Sequence, residues 1–193
     1  MAIPILSSTP VVGTVRAPDN MPKRPLVDYE LGGVALSDNS MGTTYQTWRA
    51  WFDRPLGGVF IEAPNTPPIK IFEQSDIEWL SFCFDQNMRW SATYTLTNNK
   101  SYLRWYDSAQ GGYSITELQE NVISPFLTLD DKRATQSGNI DIVLAYIKEQ
   151  KVCLRVQRER FQIVHIWAEK IPKDWIIRNF GMSNKMRLQM EIR

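Results

Sequence analysis

Short runs of β-branched and aromatic residues, each closed by a polar turn, recur along this chain and favour sheet over any other arrangement. Between Asn139 and Glu169 the runs Ile142–Ile147, Val152–Gln157 and Phe161–Ala168 follow one another, with Arg155, Arg158 and Arg160 in a row on and just beyond the middle one. An earlier stretch has a similar plan. Asp76-Ile77-Glu78-Trp79-Leu80-Ser81-Phe82 matches Asp141-Ile142-Val143-Leu144-Ala145-Tyr146-Ile147 in character, and each precedes a Leu-Arg step, Leu103-Arg104 and Leu154-Arg155. The offset, about fifty residues, is the scale of a four-stranded blade. The pattern predicts a mainly β chain of antiparallel sheets in two blade-like or sandwich-like repeats. They would form one domain over residues 26–193, with units at about 26–118 and 119–193.

Further strands are expected at Tyr29–Val34, Tyr45–Phe52, Val59–Ile61, Ile69–Phe72, Ile77–Phe84, Arg89–Leu96, Tyr102–Tyr106, Tyr113–Leu118 and Phe126–Leu129. Leu56-Gly57-Gly58, Asp85-Gln86-Asn87 and Asn98-Asn99 are the turns between them. Near the end, Met186, Leu188, Met190 and Ile192 alternate with Arg187, Gln189, Glu191 and Arg193, the two-residue period of a strand with one buried face. Pro172–Arg178 fits a helix of about two turns stopped by Gly181, and a strand through Trp175–Phe180 fits as well. Met1–Pro25 holds Pro4, Pro10, Pro18, Pro22 and Pro25, which forbid helix and remove backbone donors, so an extended N-terminal arm is expected there.

Charge is balanced, Lys+Arg 22 against Asp+Glu 21, which argues against an electrostatic grip on nucleic acid or an anionic membrane. No apolar stretch approaches the roughly 18 residues of a membrane span. The start, MAIPILSSTP, lacks the basic region and apolar run of a signal peptide, so a soluble protein made in the cytoplasm is expected. Cys83 and Cys153 sit inside apolar runs and read as small buried side chains, too few for a disulfide scaffold.

Catalytic constellations are hard to assemble from this sequence. The one histidine, His165, lies in an apolar run, where it would share a strand face with Phe161, Ile163 and Trp167 as a packed or interfacial residue. One histidine and two distant cysteines make a poor zinc set, and no cofactor is expected. Asp130 and Asp131 are adjacent, but neighbours on a strand point to opposite faces; with Asp38, Asp53, Asp85 and Asp141 they read as turn-forming carboxylates rather than a hydrolytic pair. Ser37–Tyr45, SDNSMGTTY, is faintly similar to the aspartate-box turn of sialidase-type propellers, with its aspartate displaced relative to Gly42. The basic run of Lys148, Lys151, Arg155, Arg158 and Arg160 is interleaved with Glu149 and Glu159, which favours a salt-bridged sheet face or subunit contact over a phosphate stripe.

Several segments carry a family likeness. Asp130-Asp131-Lys132-Arg133, Asp141–Tyr146 and Leu154–Phe161 resemble the C-terminal part of virion structural proteins of tailed bacteriophages. Phe180–Met190, Asp28–Val34 and Phe82–Asn87 are similar to other parts of that family, so the likeness runs from about Asp28 onward. It implies a tail nozzle, tail-tip or fibre-adaptor protein, located in the virion tail and assembled in the host cytoplasm. Such a protein is no enzyme, forms a homo-oligomer, and binds other tail proteins such as the tube, a portal-side adaptor or a fibre. The contact residues expected on this reading are Trp48, Trp51, Asp130, Asp131, Arg155, Arg158 and Arg160, with at least one of the arginines paired to a carboxylate on a neighbouring chain or on the Asp130–Asn139 loop. The alternative is a carbohydrate-binding β module using Trp48, Trp51 or Trp90 as sugar platforms, or a propeller-type glycosidase remnant.

Overall fold

The computed structural model describes residues 30–37, 45–62, 66–85, 87, 89–130, 141–182 and 188–193. Four antiparallel meanders follow one another along these residues. Sheet I holds β1 (Glu30–Ser37), β2 (Tyr45–Asp53), β3 (Gly58–Glu62) and β4 (Ile69–Glu73). Sheet II holds β5 (Ile77–Phe84), β6 (Trp90–Leu96), β7 (Ser101–Asp107) and β8 (Gly112–Glu117). Sheet III holds β9 (Ile123–Leu129), β10 (Ile142–Lys148), β11 (Lys151–Val156) and β12 (His165–Ala168). A hairpin of β13 (Ile177–Met182) and β14 (Leu188–Ile192) comes last. The first strands form an inner row: β5 packs against β1 and β9, and β9 against β13. The sheets therefore fan outward like blades.

This is the mainly β, antiparallel, blade-like architecture the sequence predicts, with a finer division. A boundary near residue 118 does fall between sheets, β8 ending at Glu117 and β9 starting at Ile123, but the part before it contains two complete sheets. The internal match also shifts. Leu103-Arg104 and Leu154-Arg155 both lie on third strands, β7 and β11, whereas Ile77–Phe82 is on β5 and Ile142–Ile147 on β10, a first strand and a second. Both runs are mostly buried, β10 on two faces from Ile142 to Ile147 and β5 from Leu80 onward, and coverage alone does not reveal a strand's rank in its sheet.

β10 shows how sequence and layering agree. Ile142, Leu144 and Tyr146 join the larger core shared with sheets I and II, while Val143, Ala145 and Ile147 join a second core with Ile177 and Phe180 of the hairpin. All six are buried, so the strand reads as an unbroken apolar run. β14 has one packed face only: Leu188, Met190 and Ile192 are half-buried and Gln189 and Glu191 exposed, as their alternation requires. Met186 and Arg187, like the Met1–Pro25 arm and residues 38–44 of the aspartate-box-like stretch, lie outside the described residues.

Two local readings are resolved by the structure. Pro172–Arg178 forms no helix; a turn at Lys173-Asp174 leads into β13, so the strand alternative holds from Ile177 onward, and Gly181 sits inside that strand rather than stopping it. The run from Phe161 becomes extended only at His165. Gln157–Glu159 makes a 3-10 turn, and Arg160 and Phe161 follow with φ of 54° and 56°, in the left-handed region. Two consecutive non-glycine residues there cost about 1–2 kcal/mol each. What offsets this is the Phe161 side chain, 1% exposed and edge-on to Trp105 of sheet II at 5.2 Å.

Candidate functional site

Sheets II and III repeat one buried polar device. Tyr94 on β6 lies opposite Tyr102, and Arg104, two residues further along β7, donates from Nε to the Tyr94 hydroxyl at 3.2 Å. Tyr146 on β10 lies opposite Cys153, and Arg155, two residues further along β11, donates from Nε to the Tyr146 hydroxyl at 3.0 Å. Burial pushes both phenols above their ordinary pKa, with the arginine bond pulling the other way. Arg155 also donates from Nη1 to the carbonyl oxygen of Phe161 at 3.0 Å. At 7% exposure it is an internal staple, not the surface arginine that a row with Arg158 and Arg160 suggested.

Arg158 and Arg160 belong to a different place, a charged cleft of about 390 Å³ at one end of sheets II and III. Its buried carboxylates are Asp85, Asp107 and Asp141. Asp85 closes the β5–β6 turn by accepting from the backbone N–H of Asn87 and Arg89 and from Arg89 Nε at 2.7 Å. Asp107 accepts from the Ala109 N–H and from Arg160, so one pair ties the two sheets together. Asp141 meets Arg158 Nη1 at 3.1 Å; burial raises its pKa, and the guanidinium partly reverses that. Each carboxylate accepts from backbone N–H as well as from an arginine, so the cleft is a clamp on turn ends. Arg158 and Arg160 thus have carboxylate partners in their own chain, and neither is on the Asp130–Asn139 loop. Asp130 bridges the mouth of that loop by accepting the Asp141 N–H at 2.8 Å; Asp131 lies outside the described residues.

The aromatic candidates are packed. Trp51 is 5% exposed and stacks on Phe60; Trp48 meets Phe84 edge-on at 5.2 Å; Trp90 is half-buried between Phe72 and Tyr113, 4.0 Å from the latter. Trp51 is almost wholly covered and Trp90 stacks with two rings, whereas Trp48 stays partly exposed. Cys83 and Cys153 are buried and form no disulfide. Among the described residues no group of His, Cys, Asp and Glu is placed to hold a metal ion, and no helix is long and apolar enough to cross a membrane.

The unforeseen surface is the outer strand of sheet III. Ile163, Val164, Ile166 and Trp167 are all exposed along and just before β12. His165 is exposed among them, with Nε2 2.6 Å from Glu159, and does not share a packed face with Phe161. The outer strands of the other sheets carry a charge within them, Lys70 and Glu73 in β4 and Glu117 in β8, while β12 carries none beyond its histidine. Proteins ordinarily blunt a free edge with lysine, proline or a covering element. The apolar run itself was legible in the sequence; its place at an edge was not. Comparison with protein-family models, curated proteins and solved structures finds no match to this chain.

Proposed function

We propose that the chain is a structural component of a bacteriophage tail (nozzle, tail tip or fibre adaptor) that acts by oligomeric assembly and by binding other tail proteins, not by catalysis. The observation that carries this reading is the uncharged, apolar outer edge of sheet III from Ile163 to Trp167. An edge of this kind pairs readily with another chain, and its aromatic and aliphatic side chains suit the centre of an interface. The likeness of Asp130–Arg133, Leu154–Phe161 and Phe180–Met190 to tail proteins directs the reading to that assembly. The polar clamp of Asp85, Asp107 and Asp141 fits a rigid building block, since it fixes the sheet ends at a known spacing.

Sedimentation of the purified chain over a wide concentration range tests the reading. A defined oligomer is expected, lost in Ile166→Lys with the circular dichroism spectrum unchanged. A chain that stays monomeric throughout, and is missing from purified particles by mass spectrometry, would sink it. Binding on a glycan array would move the assignment to the carbohydrate-binding alternative.

A further inference from the structure

The charged cleft at the ends of sheets II and III is sorted from inside to outside. It contains three aspartate–arginine pairs, and in each the aspartate is the inner partner. The side chains of Asp85, Asp107 and Asp141 are 3%, 3% and 8% exposed, against 28%, 45% and 67% for Arg89, Arg160 and Arg158. Whatever enters from solvent meets guanidinium before carboxylate.

The inner groups are also the satisfied ones. Asp85 accepts two backbone N–H groups on Oδ1 and Arg89 Nε on Oδ2. Asp107 accepts the Ala109 N–H on one oxygen and Arg160 on the other. Asp141 has the backbone N–H of Arg158 as well as its side chain. A guanidinium carries five N–H groups, and few of them are used here. Among the described residues, Nη2 of Arg89, Nε and Nη1 of Arg160, and Nε and Nη2 of Arg158 have no acceptor. Trp105 is 4% exposed on the cleft wall, and its Nε1 N–H is buried without an acceptor. The cleft is rich in donors and short of acceptors.

Two of the donors are held in advance. Arg89 is anchored by Asp85 and lies 4.4 Å from the centre of the Tyr106 ring, while Arg160 is fixed by Asp107 across the sheet boundary. Planar forks brought together from two sheets suit a group with acceptor oxygens in several directions, which a tetrahedral phosphate has and a flat carboxylate lacks. The volume, about 390 Å³, is at the lower end for a small-molecule site, and a net charge of +1 gives no field to gather a long polyanion. This is a different set from the basic run along the sequence. Arg155 of that run is internal, and Arg89 comes from another sheet.

We propose that the cleft binds a phosphate group, free or esterified to a small molecule, on the unused N–H groups of Arg89, Arg158 and Arg160. The ligand joins the β5–β6 turn of sheet II to the end of β11 in sheet III. The site is complete within one chain, so it stands apart from the assembly reading above.

Isothermal titration calorimetry of the full chain tests it, with inorganic phosphate, ribose 5-phosphate and acetate at constant ionic strength. One phosphate per chain is expected, with Kd below about 1 mM. Arg158→Gln, at the most exposed of the three arginines, should weaken binding at least about tenfold with the circular dichroism spectrum unchanged. Arg178→Gln, at an exposed arginine of β13 away from the cleft, should leave it unaltered. Tighter binding of ribose 5-phosphate than of inorganic phosphate assigns an esterified ligand, and equal affinity assigns free phosphate. No saturable heat up to roughly 10 mM, an affinity untouched by Arg158→Gln, or acetate bound as tightly as phosphate would each overturn the proposal.

Discussion

In sheet II, Arg104 bonds Tyr94 and lays its guanidinium 4.3 Å from the centre of the Phe72 ring, which belongs to sheet I. In sheet III, Arg155 bonds Tyr146 from the same diagonal position, yet its second bond goes to the carbonyl of Phe161 in its own sheet's loop. An aromatic ring fills the space toward the preceding sheet in both cases. Sheet II obtains it from a neighbouring strand, β4, whereas sheet III obtains it by bending its own β11–β12 connection inward. The same local pair therefore acts as glue between sheets in one place and as a brace for a strained loop in the other. The difference lies in the next layer, not in the pair.

The comparison breaks most directly at Phe161. Phe161→Ala is expected to cost about 3–5 kcal/mol, seen as a lower urea midpoint, because it empties a fully buried site against Trp105. Phe161→Gly is the sharper variant. Glycine is ordinarily worse than alanine, but at φ 56° it escapes a penalty of about 1–2 kcal/mol, so it should be the more stable of the two. Alanine matching or beating glycine would show that the loop is not strained.

Next in size is the pair itself. Arg155→Met strands the Tyr146 hydroxyl and the Phe161 carbonyl in a buried site, an expected loss of about 2–4 kcal/mol. Arg104→Met strands only the Tyr94 hydroxyl and keeps a side chain able to pack on Phe72, so it should lose less, about 1–2 kcal/mol. Equal losses in parallel denaturant titrations would mean that the two pairs do the same job. A third substitution adds stability. β10 and β11 are joined by Glu149-Gln150 with φ of 50° and 60°, the mirror-image turn that asparagine-glycine prefers. Glu149→Asn with Gln150→Gly should raise stability by about 1–2 kcal/mol, whereas the β6–β7 turn already has Asn99 at φ 63° and leaves less to gain.

How much of this was written in the sequence depends on range. Strand positions such as Ile77–Phe84 and Ile142–Ile147 were legible because apolar periodicity and turn residues act over a few positions. The Leu-Arg step was visible as a repeat, though not its tyrosine partner, since cross-strand register is not encoded in spacing. Phe161–Ala168 was misread as continuous strand because aromatic and β-branched residues favour extension, and only burial against Trp105 holds Phe161 in a turn. Arg155, Arg158 and Arg160 look alike in a row, yet β11 ends between the first and the others, so one points into the core and two reach the cleft. Trp48, Trp51 and Trp90 gave no sequence sign of being covered.

The smallest expected effect concerns the ends of the two sheets, where Asp85 serves sheet II and Asp141 sheet III. Burial holds the Asp141 carboxyl above its ordinary range, with the Arg158 guanidinium opposing and the Asp130 charge adding to the shift. A raised pKa means that the folded state binds more protons than the unfolded state between the ordinary value, 3.8, and the folded one. Stability therefore falls as pH rises through that window, and the charged form remains a burden above it. Arg158 offsets little, because its side chain is 67% exposed and a screened pair contributes at most about 1 kcal/mol. Asp141→Asn retains an acceptor for the Arg158 N–H without the charge. Melting temperatures measured from about pH 7 down to about pH 4 should show the variant level with or above the unaltered protein at the upper end, with that margin shrinking on acidification. A margin that grows as the pH falls would mean that the Arg158 pair outweighs burial, and that sheet III's end is held by charge as firmly as sheet II's.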